Sequence, residues 1–188
     1  MDKSNTVFVD DKEYTFEPGE TILQLLRRID GVVEVPTLCD APNLKPFGSC
    51  RVCSVDVALS QGGAAKAQAS CHTPVMAGAY IYPHSDRIQR LRKNIVELVL
   101  TDYPKDHFDH ANPTQNELKK VANQCGINME QVRYAPGRNH LERTSDESHA
   151  YMRADMTSCI NCYRCVRACD EVQGEMVLTM QGRGFDNE

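Results

Sequence analysis

The chain has 188 residues, with 21 Lys+Arg against 26 Asp+Glu and a formal net charge of −5. Hydrophobic residues make up 41% and charged residues 25%, the balance of an ordinary globular chain of one domain or two small ones. The negative charge argues against nucleic acid as a partner. The most apolar stretch, Ile95–Leu100, is interrupted by Glu97 and is far too short to span a bilayer.

Thr6-Val7-Phe8-Val9 and Glu13-Tyr14-Thr15-Phe16 alternate apolar and polar residues around Asp10-Asp11-Lys12, which predicts a hairpin. Pro18-Gly19 breaks the second strand. Ile22, Leu25, Leu26 and Ile29 then share one face of a predicted helix. A hairpin and a helix packed on one sheet open an α+β domain. Residues 31–53 read as loop, with Pro36, Pro42, Pro46 and Gly48. Short strands are expected at Arg51–Leu59, Ala67–Cys71 and Tyr80–Pro83, with Gln61-Gly62-Gly63 as a turn.

A second helix is predicted over Asp86–Leu100. Ile88, Leu91, Ile95, Leu98 and Val99 form its apolar stripe, and Arg87, Arg90, Arg92 and Lys93 are expected to face water. A boundary falls at Asp102–Pro104. Thr114, with Glu117 three residues on, predicts the N-cap of a third helix; Leu118, Val121, Ala122 and Cys125 line its apolar face and Gly126 ends it. Residues 136–158 are polar and irregular.

Nine cysteines are the unusual feature. The first twenty residues carry charges throughout, so no secretory signal is expected and a cytoplasmic, reducing environment is predicted. Cysteines there read as metal ligands rather than disulfides. Cys39, Cys50, Cys53 and Cys71 have the spacing C-x10-C-x2-C-x17-C. Four thiolates suit either a [2Fe–2S] cluster or a tetrahedral zinc ion. Gly48-Ser49 before Cys50 lets the backbone wrap closely, and only one C-x2-C pair is present where a zinc ribbon shows two, so iron–sulfur is favoured.

Cys159, Cys162, Cys165 and Cys169 form C-x2-C-x2-C-x3-C, the bacterial [4Fe–4S] run with Asp170 in place of its usual proline. Zinc and a buried Cys-rich helix are the alternatives. In two-cluster ferredoxins the fourth cysteine ligates the other cluster. Cys169 therefore either completes the same cube or belongs to a second cluster absent from this chain. The segment is expected to be the front piece of a longer polypeptide, poorly ordered without its cluster. Cys125 reads as a small buried hydrophobe. His72, beside Cys71, reads either as a hydrogen-bond partner near the cluster or as a surface residue.

Phe47-Gly48-Ser49-Cys50-Arg51-Val52-Cys53, between Cys39 and Cys71 on a hairpin–helix framework, resembles the [2Fe–2S] domain of complex I-type subunits. These include the large iron–sulfur subunit of NADH dehydrogenase, the small diaphorase subunit of NAD-reducing hydrogenases and the alpha subunit of NAD-dependent formate dehydrogenases. Asp146-Glu147-Ser148-His149-Ala150-Tyr151, with Cys159 through Gly184-Phe185, is most similar to the formate dehydrogenase subunit. The resemblance implies a β-grasp ferredoxin domain over residues 1–84, a helical connector over 85–145 and an incomplete [4Fe–4S] ferredoxin-like segment over 146–188.

The family carries a further [4Fe–4S] site, H-x3-C-x2-C-x5-C, between these groups. Laid against it, the chain has Tyr103, His107, His110 and Asn116 at the four ligand positions, so no cluster is expected there. His107 and His110, with Asp106 and Asp109, read either as a divalent-ion site or as a solvated loop.

No nucleotide-binding glycine motif and no catalytic constellation is visible, so no catalytic residue is assigned. The resemblance implies an electron-transfer segment of a multi-subunit oxidoreductase. Its [2Fe–2S] and [4Fe–4S] clusters would relay electrons between a formate dehydrogenase-like molybdenum or tungsten site, in a molybdopterin subunit or domain, and a flavin/NAD-binding partner. The other readings are a stand-alone adaptor with structural clusters or zinc, and a truncated product that relays nothing.

Overall fold

The computed structural model describes residues 5–32, 34–110, 116–133 and 145–182. They divide into two compact units, one of residues 1–40 and 46–92, the other of residues 41–45 and 93–188.

The first unit is built on a five-stranded sheet. Strands β1 (Thr6–Val9) and β2 (Lys12–Thr15) form the predicted hairpin. Its turn is only Asp10-Asp11, both left-handed at φ 47° and 63°, as a two-residue type I′ turn requires. That moves Lys12 from the expected turn into β2, opposite Val9. Strands β3 (Ser54–Ala58), β4 (Lys66–Ala69) and β5 (Tyr80–Tyr82) complete the order β2-β1-β5-β3-β4. The pair β1/β5 is parallel and the other pairs are antiparallel. Helix α1 (Ile22–Arg28) crosses between the hairpin and β3 in the chain, giving the α+β, β-grasp arrangement.

Helix α1 begins at Thr21, whose hydroxyl accepts from the Gln24 N–H while the Gln24 side chain accepts from the Thr21 N–H, a complete capping box. Its apolar face, Ile22, Leu23, Leu25 and Leu26, packs with Val7, Val9, Val55 and Ile81 from the sheet, each of these fully or almost fully buried. Full burial of one such side chain is worth about 1.5–3 kcal/mol. Every residue of β3 is buried, Asp56 included; its carboxylate accepts from Ser85 Oγ at 2.7 Å and pairs with Arg87.

Helix α2 spans Asp86–Leu100, as predicted. Its buried face differs from the expected one. The fully buried positions are Ile88, Arg92, Val96 and Leu100, spaced four apart, whereas Leu98 is 64% exposed. Arg92, expected in water, is 3% exposed; its Nε and Nη2 donate to the Ser54 carbonyl at 3.1 and 2.6 Å. A guanidinium can occupy the core side of a helix when a carbonyl is there to receive it.

In the second unit the residues after the Asp102–Pro104 boundary form a short helix, α3 (Lys105–His110), rather than a loop. Helix α4 (Glu117–Gln124) buries Leu118, Val121 and Ala122. Its N-cap is Asn116, whose side chain accepts from the Lys119 N–H at 3.0 Å; Thr114 lies outside the described residues. Cys125 is the C-cap and is half-buried, followed by left-handed Gly126. A short 3-10 turn (Met129–Gln131) follows α4, and helix α5 spans Arg164–Glu171. Among the described residues no helix is long and apolar enough to cross a membrane.

Candidate iron–sulfur centres

The first cysteine group is assembled by the core of the first unit. Cys39 ends a loop anchored by buried Val35 and Leu38, and the next residue, Asp40, is paired with Arg27 at 2.9 Å. Cys50 and Cys53 flank the entry to β3. Left-handed Gly48 (φ 70°) and Arg51 (φ 60°) bend the chain on either side of Cys50. A β-carbon at Gly48 would only touch the His72 side chain at 3.4 Å, an ordinary contact, so it is the left-handed turn that calls for glycine here. Ser54 Oγ donates to the Arg51 carbonyl at 2.6 Å and Ser70 Oγ to the Cys53 carbonyl at 2.7 Å, fixing this turn against the strand that precedes Cys71.

Cys71 is positioned from helix α1. The N–H groups of Ile22 and Leu23, unpaired within any helix start, donate at 2.9 Å to the carbonyls of Thr73 and Ser70. The segment bearing Cys71 is thus bonded to the helix end. His72 points away from the core and is exposed.

Cys39, Cys53 and Cys71 are 1–2% exposed and Cys50 is half-buried. Their thiols are in mutual contact. Hydrogen bonds from the Cys50 and Cys71 thiols pull the Cys39 thiol far below the ordinary range, and the reciprocal bonds push Cys50 and Cys71 up. The Cys71 thiol brings Cys53 down to about 6. Among the described residues no group of three or more His, Cys, Asp or Glu is placed to hold a metal ion. Three almost fully buried thiols and a half-buried fourth, within hydrogen-bonding reach of one another, suit the four-thiolate ligation of a [2Fe–2S] cluster.

The second group is local. Cys159 and Cys162 lie on an irregular loop, and Cys165 and Cys169 on the first and second turns of α5. Asn161 and Tyr163 are left-handed, at φ 54° and 62°, between successive cysteines. The Asn161 N–H donates to Cys159 Sγ at 3.4 Å, the kind of amide–sulfur bond that tunes an iron–sulfur cluster. The Cys169 thiol donates to the Glu175 carbonyl at 3.2 Å. Cys165 is exposed and the other three are half-buried. The loop supplies four thiols at the spacing of the bacterial [4Fe–4S] run and one backbone amide donor to sulfur.

Three of the four positions between the groups, Tyr103, His107 and Asn116, make protein contacts. Tyr103 is buried, stands edge-on to Phe108 at 6.5 Å, and its hydroxyl accepts from Asn116 Nδ2 at 3.2 Å. Lys119 Nζ lies 5.3 Å over the Phe108 ring and donates to the Phe108 and Asp109 carbonyls. His107 Nδ1 meets Ser158 Oγ. The His110 side chain lies outside the described residues.

Residues 2–86 match the 2Fe-2S iron-sulfur cluster binding domain, and residues 150–188 match the ferredoxin-like domain of NADH-quinone oxidoreductase subunit 3. In this order, the two matches are consistent with the N-terminal iron–sulfur region of complex I-type subunits. The first is a [2Fe–2S] domain and the second a [4Fe–4S] ferredoxin-like domain. The chain is 34% identical to the NADP-reducing hydrogenase subunit HndD of Solidesulfovibrio fructosivorans, over 96% of its own length and 30% of that protein. It is 31% identical to the NADH-ubiquinone oxidoreductase 75 kDa subunit of Reclinomonas americana, over 97% of its own length and 25% of that protein. It thus spans less than a third of these curated relatives. A chain from the crystal structure of an NAD+-reducing [NiFe]-hydrogenase in the H2-reduced state superposes with a TM-score of 0.79 at 27% identity, covering 98% of this chain and 73% of that one.

Sequence spacing singled out both cysteine groups as candidates but not the residues that position them. Arg92 was hidden by its charge, although it falls in phase with Ile88 and Val96. Ser70 and the α1 amides carry no local signal, because their partners lie far away in the chain.

Proposed function

We propose that the chain is an electron-relay segment of a multi-subunit oxidoreductase. Cys39, Cys50, Cys53 and Cys71 would hold a [2Fe–2S] cluster, and Cys159, Cys162, Cys165 and Cys169 a [4Fe–4S] cluster. The observation that carries this is that three separate segments of the first unit bring Cys39, Cys53 and Cys71, all almost fully buried, together with half-buried Cys50 inside a matched [2Fe–2S] domain. Bound there, the clusters supply reversible one-electron transfer. The protein's part is to bury the first group, bond its backbone into place and exclude competing ligands.

The partner in this reading is a flavin/NAD-binding subunit, in line with the NAD(P)- and NADH-linked names of the relatives. The other terminal site is a molybdenum- or tungsten-containing formate dehydrogenase-like subunit or domain. Its support is the resemblance of Asp146–Tyr151 and the second cysteine run; Gly184-Phe185 lie outside the described residues. The hydrogenase relatives make hydrogen the rival substrate.

The deciding experiment is low-temperature EPR on anaerobic, dithionite-reduced protein with iron and sulfide counted on the same sample. Separate [2Fe–2S] and [4Fe–4S] signals with about six irons per chain support the relay. A [2Fe–2S] signal alone leaves only the first group as a working site. Co-purification with formate-dependent, rather than hydrogen-dependent, reduction of the clusters selects the formate partner.

A further inference from the structure

The Cys39–Cys50 loop does not stay within one unit. Its middle, Ala41–Lys45, belongs to the second unit, while Asp40 and Pro46 on either side belong to the first. Within the second unit this bridge lies on helix α5. Pro42 and Leu44, with Cys165, Ala168, Cys169 and Val172, line a cavity of about 590 Å³. Two cysteines of the second group therefore stand in the wall that the bridge helps to make.

Two residues of α5 hold the end of the bridge. Glu171 Oε2 accepts the Lys45 N–H at 2.7 Å, and Arg167 Nη2 donates to the Lys45 carbonyl. Arg167 Nε and Glu171 Oε1 pair at 3.2 Å, one helical turn apart. Their side chains are only 8% and 16% exposed. The grip takes both polar backbone groups of one residue and none of its side chain. It also uses the last N–H before Pro46, which has none to offer. At the other end of the bridge, Asp40 is fixed by Arg27. An Arg–carboxylate pair largely withdrawn from solvent and placed on a loop backbone costs desolvation, and its bonds to Lys45 offset that cost only if the loop is held.

We propose that Arg167 and Glu171 are positioning residues: they lock the Ala41–Lys45 bridge onto α5, so that the helix bearing Cys165 and Cys169 sets the loop bearing Cys39 and Cys50. The proposal rests on the cluster assignment above. Its consequence is that the spectrum and potential of the [2Fe–2S] cluster respond to changes in α5 that touch none of its ligands.

The test uses the full chain with its clusters, and the variants Arg167→Ala, Glu171→Ala, Glu171→Gln and Glu117→Ala. Amide hydrogen exchange across residues 41–49 is read together with the EPR line shape, midpoint potential and iron content. Arg167→Ala and Glu171→Ala should speed exchange at Lys45 by about tenfold or more and shift the [2Fe–2S] signal with its iron retained. Glu171→Gln, which keeps an acceptor oxygen, should rescue most of the protection. Glu117→Ala removes the Arg164–Glu117 pair at the other end of α5 and should change neither readout. Unchanged exchange in the alanine variants overturns the lock. So does faster exchange with an unaltered [2Fe–2S] spectrum and potential. If the alanine variants lose α5 altogether, Arg167→Lys decides by the same two readouts. A wild-type chain without any [2Fe–2S] signal would instead sink the relay reading, and exchange at Lys45 would still report on the lock.

Discussion

The two cysteine groups are built in opposite ways. The first gathers thiols from three separate segments, holds them at the edge of an apolar core and hides three of them almost completely. The second takes its thiols from one short loop and the start of one helix, with Cys165 exposed. The first is a tertiary product: the sheet and α1 must fold before Cys39 and Cys71 can meet. The second is local, and its exposed neighbours, Val172, Met176, Val177 and Leu178, contribute little core of their own. A core-built site holds its geometry through packing; a loop-built site gains order from the ligand it binds.

Substitution of Cys53 by serine should break the comparison most sharply. It should abolish the [2Fe–2S] signal and remove about two irons per chain while leaving the [4Fe–4S] signal, read by EPR and iron analysis. Leu25→Ala should do by packing what Cys53→Ser does by chemistry. Leu25 is fully buried, and its truncation should cost about 2–5 kcal/mol in urea unfolding, with the first cluster lost before the second. Arg92→Ala should cost about 1–3 kcal/mol, because it leaves the Ser54 carbonyl without its buried donor beside Cys53.

Asn116→Ala acts on the other unit. It removes both the cap of α4 and the bond to the Tyr103 hydroxyl, and should lower stability by about 1 kcal/mol without altering the [2Fe–2S] spectrum. The smallest effect is electrostatic. The Arg28 guanidinium holds the Glu20 carboxyl below its ordinary value of 4.5. A depressed folded-state value means that this contribution is present above pH 4.5 and fades as pH falls through the folded value. Replacing Glu20 by Gln should therefore remove a modest stabilisation seen at neutral pH and flatten that part of the acid titration, followed by circular dichroism.

The elements with local signals were legible in the sequence. The hairpin alternation, the stripe of α1, the bounds of α2 and the spacing of the second cysteine group all record interactions between near neighbours. What escaped were contacts whose partners are distant. Arg92 reads as solvent-facing until the Ser54 carbonyl is placed beside it. Leu98 reads as core because its neighbours do, yet the helix turns it outward. Asn116 takes the cap that Thr114 promised, because α4 begins at Glu117. Lys45 and Glu171 lie 126 residues apart, and no periodicity links them.

The division between the units has a consequence for how such a chain can be cut or recombined. It falls between Arg92 and Lys93, inside α2 rather than in a linker. Ile88 and Arg92 are buried before it, and Val96 and Leu100 after it. A gene fragment ending at residue 92 would leave a helical stub of about two turns, too short to sustain itself in water. One beginning at residue 93 would strand the remainder in the same way, and would also lose Ala41–Lys45. Neither unit is a module that a single crossover can transplant; recombination that keeps both working has to inherit the whole of α2 and the Cys39–Cys50 loop together.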